Sequence, residues 1–178
     1  NLPDRSPADD SEDDLLNAMI SAAREVAEVL QGRDLVRKQY DISLDYFWTY
    51  QIQCRDPLVT VDLVRYRNSD GSYTTLTEGT HYSVDTSKHP GLISPVYNTT
   101  WPTFTAWPSS AVLVRFTSGY AATDAFWNDA GKRIIVGMKL LVSTWYNNRL
   151  PFDAVRNVSE YPFAVTSLLS FGARINVR

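Results

Sequence analysis

Between Asp124 and Arg149 the chain reads DAFWNDAGKRIIVGMKLLVSTWYNNR, and this stretch narrows most what the whole can become. Ile134, Ile135, Met138, Leu141, Val142, Trp145 and Tyr146 recur at spacings of three and four. On a helix of about 3.6 residues per turn, that spacing gathers them on one broad stripe. Lys132, Arg133 and Lys139 fall largely off it. Asn128 or Asp129 can cap the start, because a short side-chain oxygen accepts an orphan backbone N–H. Asn147, Asn148 and then Pro151 stop it, since proline cannot continue a helix and restricts its predecessor. A helix over about 129–148 is therefore expected, and a stripe so wide and aromatic needs a large partner surface. Ile134 to Val142 reads as core. Trp145, Tyr146 and Arg149, at the helix end, suit either core or contact with another subunit.

A second helix is expected over 11–31. Ser11 resembles a cap, and Glu12, Asp13 and Asp14 occupy the first turn, where carboxylates favour the positive end of the helix dipole. Leu15, Leu16, Met19, Ile20, Ala23, Val26, Ala27 and Leu30 follow at helical spacing, and Gly32 supplies a left-handed stop. The period then changes to two. Val36, Tyr40, Ile42 and Leu44 alternate with Arg37, Asp41, Ser43 and Asp45, the pattern of a half-buried strand. Further strand-like runs are Leu58 to Arg67, Tyr73 to Thr77, His81 to Asp85, Gly91 to Val96 and Ala111 to Thr117. Asn68-Ser69-Asp70-Gly71 reads as a hairpin turn with Gly71 at positive φ. After the long helix, Ser159, Glu160 and Pro162 read as the start of a third, short helix over about 162–171, ended by Gly172. The expected fold is α+β: a small helical bundle from 1–35 and 121–178, with an antiparallel β lobe of one small sheet, 36–120, inserted between its helices.

Length and charge exclude several classes. At 178 residues with 44% apolar content, one domain or a domain with a sizeable insertion can bury a core. A net charge of −3 excludes a basic nucleic-acid clamp. The charge is uneven, however. Asp4, Asp9, Asp10, Glu12, Asp13 and Asp14 crowd the beginning against Arg5. After Gly131, Lys132, Arg133, Lys139, Arg149, Arg156, Arg174 and Arg178 face only Asp153 and Glu160. Such asymmetry suits head-to-tail contact between identical subunits, although solvated faces also produce it. No apolar run approaches the ~20 residues of a membrane span, and no signal peptide is visible. The Asn98 and Asn157 sequons are read as chance.

Catalytic chemistry finds little purchase. Cys54 is the single cysteine, so neither an intrachain disulfide nor a cysteine metal cluster can form, and it has no histidine or CxxC partner to activate it. His81 and His89 lack the helical partner or Cys/Asp cluster of a metal ligand. No GxSxG, P-loop or dinucleotide glycine pattern is present. Carboxylates 9–14 are a solvated helix start rather than an acid/base pair. Trp101, Phe104 and Trp107 crowd one proline-bounded loop. They could pack that loop or form an aromatic platform, which would make the chain a small carbohydrate- or peptide-binding β module with helical flanks. No catalytic, cofactor or metal residue is nominated.

Five strings in one order carry a further resemblance: DDLLNAMISAAREVAEVLQGRDLVRKQYDISLDYF at 13–47, HYSVDTSKHPGLI at 81–93, VLVRFTSGY at 112–120, KLLVSTWYNNR at 139–149 and EYPFAVTSLLSFGAR at 160–174. Together they resemble the head–tail connector (adaptor) proteins of long-tailed bacteriophages, prophages and gene transfer agents. Leu141 to Arg149, followed by Pro162-Phe163-Ala164-Val165 and Leu168-Leu169, is the most specific part. The resemblance implies a structural virion protein and not an enzyme, made in the bacterial host cytoplasm and placed in the neck. It implies a ring, commonly of twelve subunits, under the portal protein. Such a ring extends the channel for double-stranded DNA, touches the DNA non-specifically, and docks a head-completion, stopper or tail-side neck protein. It also implies a C-terminal segment that reaches the portal, here Arg174, Ile175, Asn176, Val177 and Arg178. Ile175 and Val177 alternate with polar neighbours, as in a strand able to add to another chain's sheet edge. One departure stands out: family members usually begin with an extra short Lys-, Arg- and Leu-rich helix before the acidic stretch, whereas Asn1 to Asp10 precede Ser11 here, so that helix is either shortened or lost upstream of Asn1.

Overall fold

A computed structural model describes residues 10–48, 50–147 and 163–173. Helix α1 spans Asp10–Gln31. Strands β1 (Lys38–Leu44), β2 (Ile52–Gln53), β3 (Leu58–Arg67), β4 (Tyr73–Leu76), β5 (Tyr82–Asp85), β6 (Leu92–Pro95) and β7 (Val112–Ser118) follow. A 3₁₀ turn, Ala125–Asn128, precedes α2 (Ala130–Asn147), and α3 covers Phe163–Ser170. The fold is α+β. Two compact units share the described chain, with divisions between Gln31 and Gly32 and between Thr123 and Asp124.

In the helical unit, α1, α2 and α3 pack pairwise. The periodicity of α2 does what its spacing predicts: Ile134 and Leu141 are buried, and Ile135, Met138 and Val142 are half-buried. They meet Ala23 and Ala27 of α1 and Val165 and Leu169 of α3 in one apolar interior, all six of the buried residues being at most 2% exposed. Burying one such Leu or Ile stabilises by about 1.5–3 kcal/mol. Gly137 permits the close approach of α3, since a Cβ there would lie 2.7 Å from Cδ2 of Leu169 and 3.3 Å from Cβ of Leu168. The end of α3 is closed from α1. Fully buried Gln31 donates its side-chain amide to the carbonyls of Leu169 and, at 3.2 Å, Phe171, which helical geometry alone leaves without donors. Gly172, at φ +71°, then turns the chain, and the N–H of Ala173 reaches the Ser170 carbonyl at 3.0 Å.

The β unit holds two sheets rather than the single small sheet expected. One is ordered β1-β7-β3-β4 and the other β2-β6-β5, every pairing antiparallel. In β1 the sequence alternation is realised in full, with Tyr40, Ile42 and Leu44 half-buried and Gln39, Asp41 and Ser43 exposed. Its partner β7 buries Val112, Val114, Phe116 and Ser118. β3 carries two irregularities against β7, between Leu58 and Thr60 and between Val61 and Leu63, which increase local twist. Phe47, Ile52, Leu58, Val64, Ile93 and Phe116 belong to one core cluster drawing on both sheets. β5 begins at Tyr82, so His81 stands in the preceding turn and not in the strand.

The β3–β4 connection forms as its sequence predicts. Gly71 sits at φ +87° and donates to the Asn68 carbonyl at 2.9 Å, while Asp70 accepts from the Ser72 N–H and hydroxyl at 2.9 and 2.6 Å. Gly119 is held more tightly. At φ +100°, any Cβ would fall 2.1 Å from the Val36 carbonyl oxygen, so no other residue fits at the root of the β1–β7 pair.

Candidate functional site

The groups most often found in active sites are engaged structurally. His81 Nδ1 accepts the Thr77 N–H at 3.0 Å, and His89 Nδ1 meets Asp56 Oδ1 at 2.6 Å. Cys54 is buried, and burial pushes its thiol up to about 12, far from a reactive thiolate at neutral pH. Among the described residues no three His, Cys, Asp or Glu side chains gather as a metal-binding group.

A buried carboxylate is a feature the sequence did not flag. Asp34 is 0% exposed. Arg55 approaches it in a fork, with Nε 3.1 and 3.0 Å from the two oxygens and a terminal nitrogen 2.9 Å from Oδ1. Ser118 of β7 donates at 2.7 Å and Tyr40 of β1 at 3.0 Å. Its own N–H reaches the Asp56 carbonyl at 2.7 Å. Burial by itself would raise the Asp34 pKa. The hydrogen bonds from Arg55, Ser118 and Tyr40, with the charge of Arg55, outweigh that and hold it below the ordinary carboxylate value. With its oxygens so occupied, Asp34 is a clasp joining β1, β7 and the segment before β3, not a proton-transfer group. Tyr40 is six residues away, but Arg55 and Ser118 lie 21 and 84 residues away in sequence, so no local pattern announces the clasp.

The aromatic loop packs the lobe. Trp101 is buried, stacked on Phe47 with ring centroids 4.5 Å apart and 5° between planes, and its indole N–H donates to the Tyr50 carbonyl at 3.1 Å. Phe104 stacks on Tyr46 at 4.9 Å and lies 4.2 Å from Tyr66. Trp107 is covered by the Arg67 guanidinium, 3.8 Å from its centroid. The three rings therefore present no joint face to a sugar, and the platform suggested by their spacing does not form.

Surfaces remain. Trp145 and Tyr146, at the end of α2, are half-buried, and the Tyr146 hydroxyl lies 3.4 Å from a Glu12 carboxylate oxygen on α1 of the same chain. Arg149 and the tail Arg174, Ile175, Asn176, Val177 and Arg178 lie outside the described residues. The exposed apolar side chains of the helical unit stand elsewhere, at Leu15, Ile20 and Val29 of α1, at Val136 and Leu140 of α2, and at Phe171, over whose ring Arg133 lies at 4.4 Å. On the lobe, Trp48, Tyr50, Tyr73 and Tyr97 are exposed. Among the described residues no helix is long and apolar enough to cross a membrane.

No family model matches the chain, and no curated protein matches it. Solved structures do. The chain is similar to one in the neck of a native gene transfer agent particle computed with C12 symmetry, with a TM-score of 0.67 and 19% identity over 92% of this chain and 84% of that one. It is similar to one in the neck of an empty particle computed with C6 symmetry, with a TM-score of 0.71 and 19% identity over 99% and 86%. A chain from the virion of a native gene transfer agent particle gives a TM-score of 0.71 and 19% identity over 100% and 84%. The fold of this chain is thus the fold of a chain found in such particles, shared over nearly the whole of its length.

Proposed function

We propose that this chain is a structural neck component of a phage-like particle: a head–tail adaptor that forms a ring under the portal, extends the DNA channel and docks the next neck or tail protein. The observation that carries this reading is the likeness, over 92% and 99% of this chain, to chains from gene transfer agent necks computed with C12 and C6 symmetry. Helical unit and inserted lobe are both needed to reach that coverage, so neither half alone accounts for it. The physical character of the chain supports it as well. A ring through which DNA must slide gains nothing from tight phosphate binding, and the net charge is −3. The adaptor has no catalytic task, takes no cofactor, and works by contact.

In this reading the helical bundle and the inserted lobe, divided after Gln31 and after Thr123, are the two working parts of the adaptor. Arg174 to Arg178 forms the portal-docking tail, adding its alternating Ile175 and Val177 to a sheet edge while its arginines pair with carboxylates there. The exposed parts of Trp145 and Tyr146, with Arg149, add to contact between subunits. Imaging the necks of particles made with and without the chain is the test. The expected result is a symmetric ring of this chain beneath the portal, and untailed DNA-filled heads without it. Tailed particles assembling normally in its absence would overturn the reading.

A further inference from the structure

We infer that one copy of this chain binds the next through the outer faces of two different helices, the outer face of α2 on one copy seating against the outer face of α1 on the other. Each face combines apolar residues turned away from the core with charge of a single sign. On α2, Val136 and Leu140 are 49% and 42% exposed. At 100° per residue they lie roughly opposite the buried Ile134 and Leu141. Lys132 and Lys139, both exposed, flank them on one side and Arg133 on the other, and no carboxylate occurs anywhere in Ala130–Asn147.

On α1 the complementary arrangement appears. Leu15, Ala18, Ala22 and Val29 form an exposed ridge on the side away from buried Ala23 and Ala27, with Leu15 40% and Val29 81% exposed. Asp14 and Glu25 are exposed along the same side. Arg24 is the only cation of the helix, against Asp10, Glu12, Asp13, Asp14, Glu25 and Glu28. The alanines let a second helix come close, while Leu15 and Val29 give it something to bury against.

Among the described residues neither face is covered by its own unit, apart from Arg133, whose guanidinium lies over the Phe171 ring, and apolar side chains bracketed by one sign of charge mark a contact surface rather than a solvated one. A second copy is the occupant because the chain supplies both halves: a basic-rimmed apolar face on the first half of α2 and an acidic-rimmed one along α1. A face cannot pair with itself, since like charges would meet. The contact is therefore head-to-tail and leaves one face open on every copy, which is the geometry that closes into rings. The inference rests on the neck reading only for that closure.

The test uses the full chain carrying Ala22→Cys and Leu140→Cys together, Cys54 being buried. Mild oxidation, of the purified chain at high concentration and of assembled particles, is expected to give a ladder of covalent multimers. Each single-cysteine variant should stay uncross-linked, since neither face meets its own kind. Charge reversal sharpens it. Lys132→Glu with Lys139→Glu should weaken self-association at low salt at least tenfold, as should Asp14→Lys with Glu25→Lys. All four reversals in one chain should restore it, which loss of folding would not permit. No ladder in either setting, or reversals without effect, would overturn the pairing while leaving a neck ring intact. A ladder and rescue from a chain absent from necks would overturn the neck reading and leave the pairing standing.

Discussion

The two units bury their apolar residues to different degrees of completeness. The β lobe closes its aliphatic core and turns outward, among its large apolar side chains, only rings that carry a polar atom, Trp48, Tyr50, Tyr73 and Tyr97, while its buried charge, Asp34, is met by Arg55, Ser118 and Tyr40. The helical unit does not. It buries Ile134, Leu141, Val165 and Leu169, but leaves Ile20, Val29, Val136 and Leu140 on its outer faces. A three-helix unit with a short third member has apolar surface left over, and assembly is the way to cover it. Stability within the lobe and association through the bundle are thus the expected division of labour.

The largest effect that could break this contrast lies in the lobe core. Phe116→Ala should destabilise the lobe by about 3–5 kcal/mol, read as faster amide exchange in β1, β3 and β7, with α2 amides unchanged. Equal acceleration in α2 would mean that the two units do not unfold separately. Leu141→Ala, fully buried in the bundle, should cost about 2–5 kcal/mol. A loss well under that range in a melt followed at α2 would remove Leu141 from the core. Gly137→Ala should cost about 1–3 kcal/mol, because α3 must back away from the new methyl group. A neutral result would show that the α2–α3 contact is looser than its distances state.

Acid should act on the clasp next. The folded-state pKa of Asp34 is lowered, so its contribution is complete above the unfolded value of about 3.9 and disappears as pH falls through the lower folded value. Lobe stability in urea should drop between pH 5 and strongly acid solution, and Asp34→Asn should flatten that part of the profile. An unchanged profile would assign the acid sensitivity to other carboxylates. The smallest effect is chemical. Native Cys54 should resist alkylation at neutral pH and react once the lobe opens in denaturant. Rapid labelling of the native chain would show that the lobe breathes far more than its packing suggests.

What could be read from the sequence follows how locally each feature is encoded. Helices α1 and α2 carry their period over many turns, β1 and β7 alternate over seven residues, and β3 is a ten-residue strand-like run, so composition and spacing suffice. The Asn68–Gly71 turn needs only four residues. β2, two residues long, has no period to detect, and the split into two sheets depends on pairings such as Ile52 with Ile93 that no local pattern fixes. The Asp34 clasp was invisible for the same reason. Trp101, Phe104 and Trp107 were visible as a cluster, yet their facing was not, because a proline-rich loop can turn rings inward or outward at the same spacing. On α2 the broad stripe and its aromatic end dominate the pattern, whereas the inferred contact rests on the pair off the stripe, Val136 and Leu140.

One detail of the topology has an engineering consequence. The strands by which the chain enters and leaves the lobe, β1 and β7, are direct neighbours, paired from Lys38 with Ser118 to Leu44 with Val112. The two ends of the intervening chain therefore emerge side by side, about 5 Å apart across an antiparallel pair. The β3–β4 turn at Asp70–Gly71, at the far end of the sheet, could be lengthened or exchanged without altering the spacing at that base, whereas β3 itself pairs with β7 down to Leu58 and Ser118 and has to stay. Such a plug-in site would let one scaffold present different extensions, and it marks the tip, not the base, as the place where related chains can diverge most freely in length.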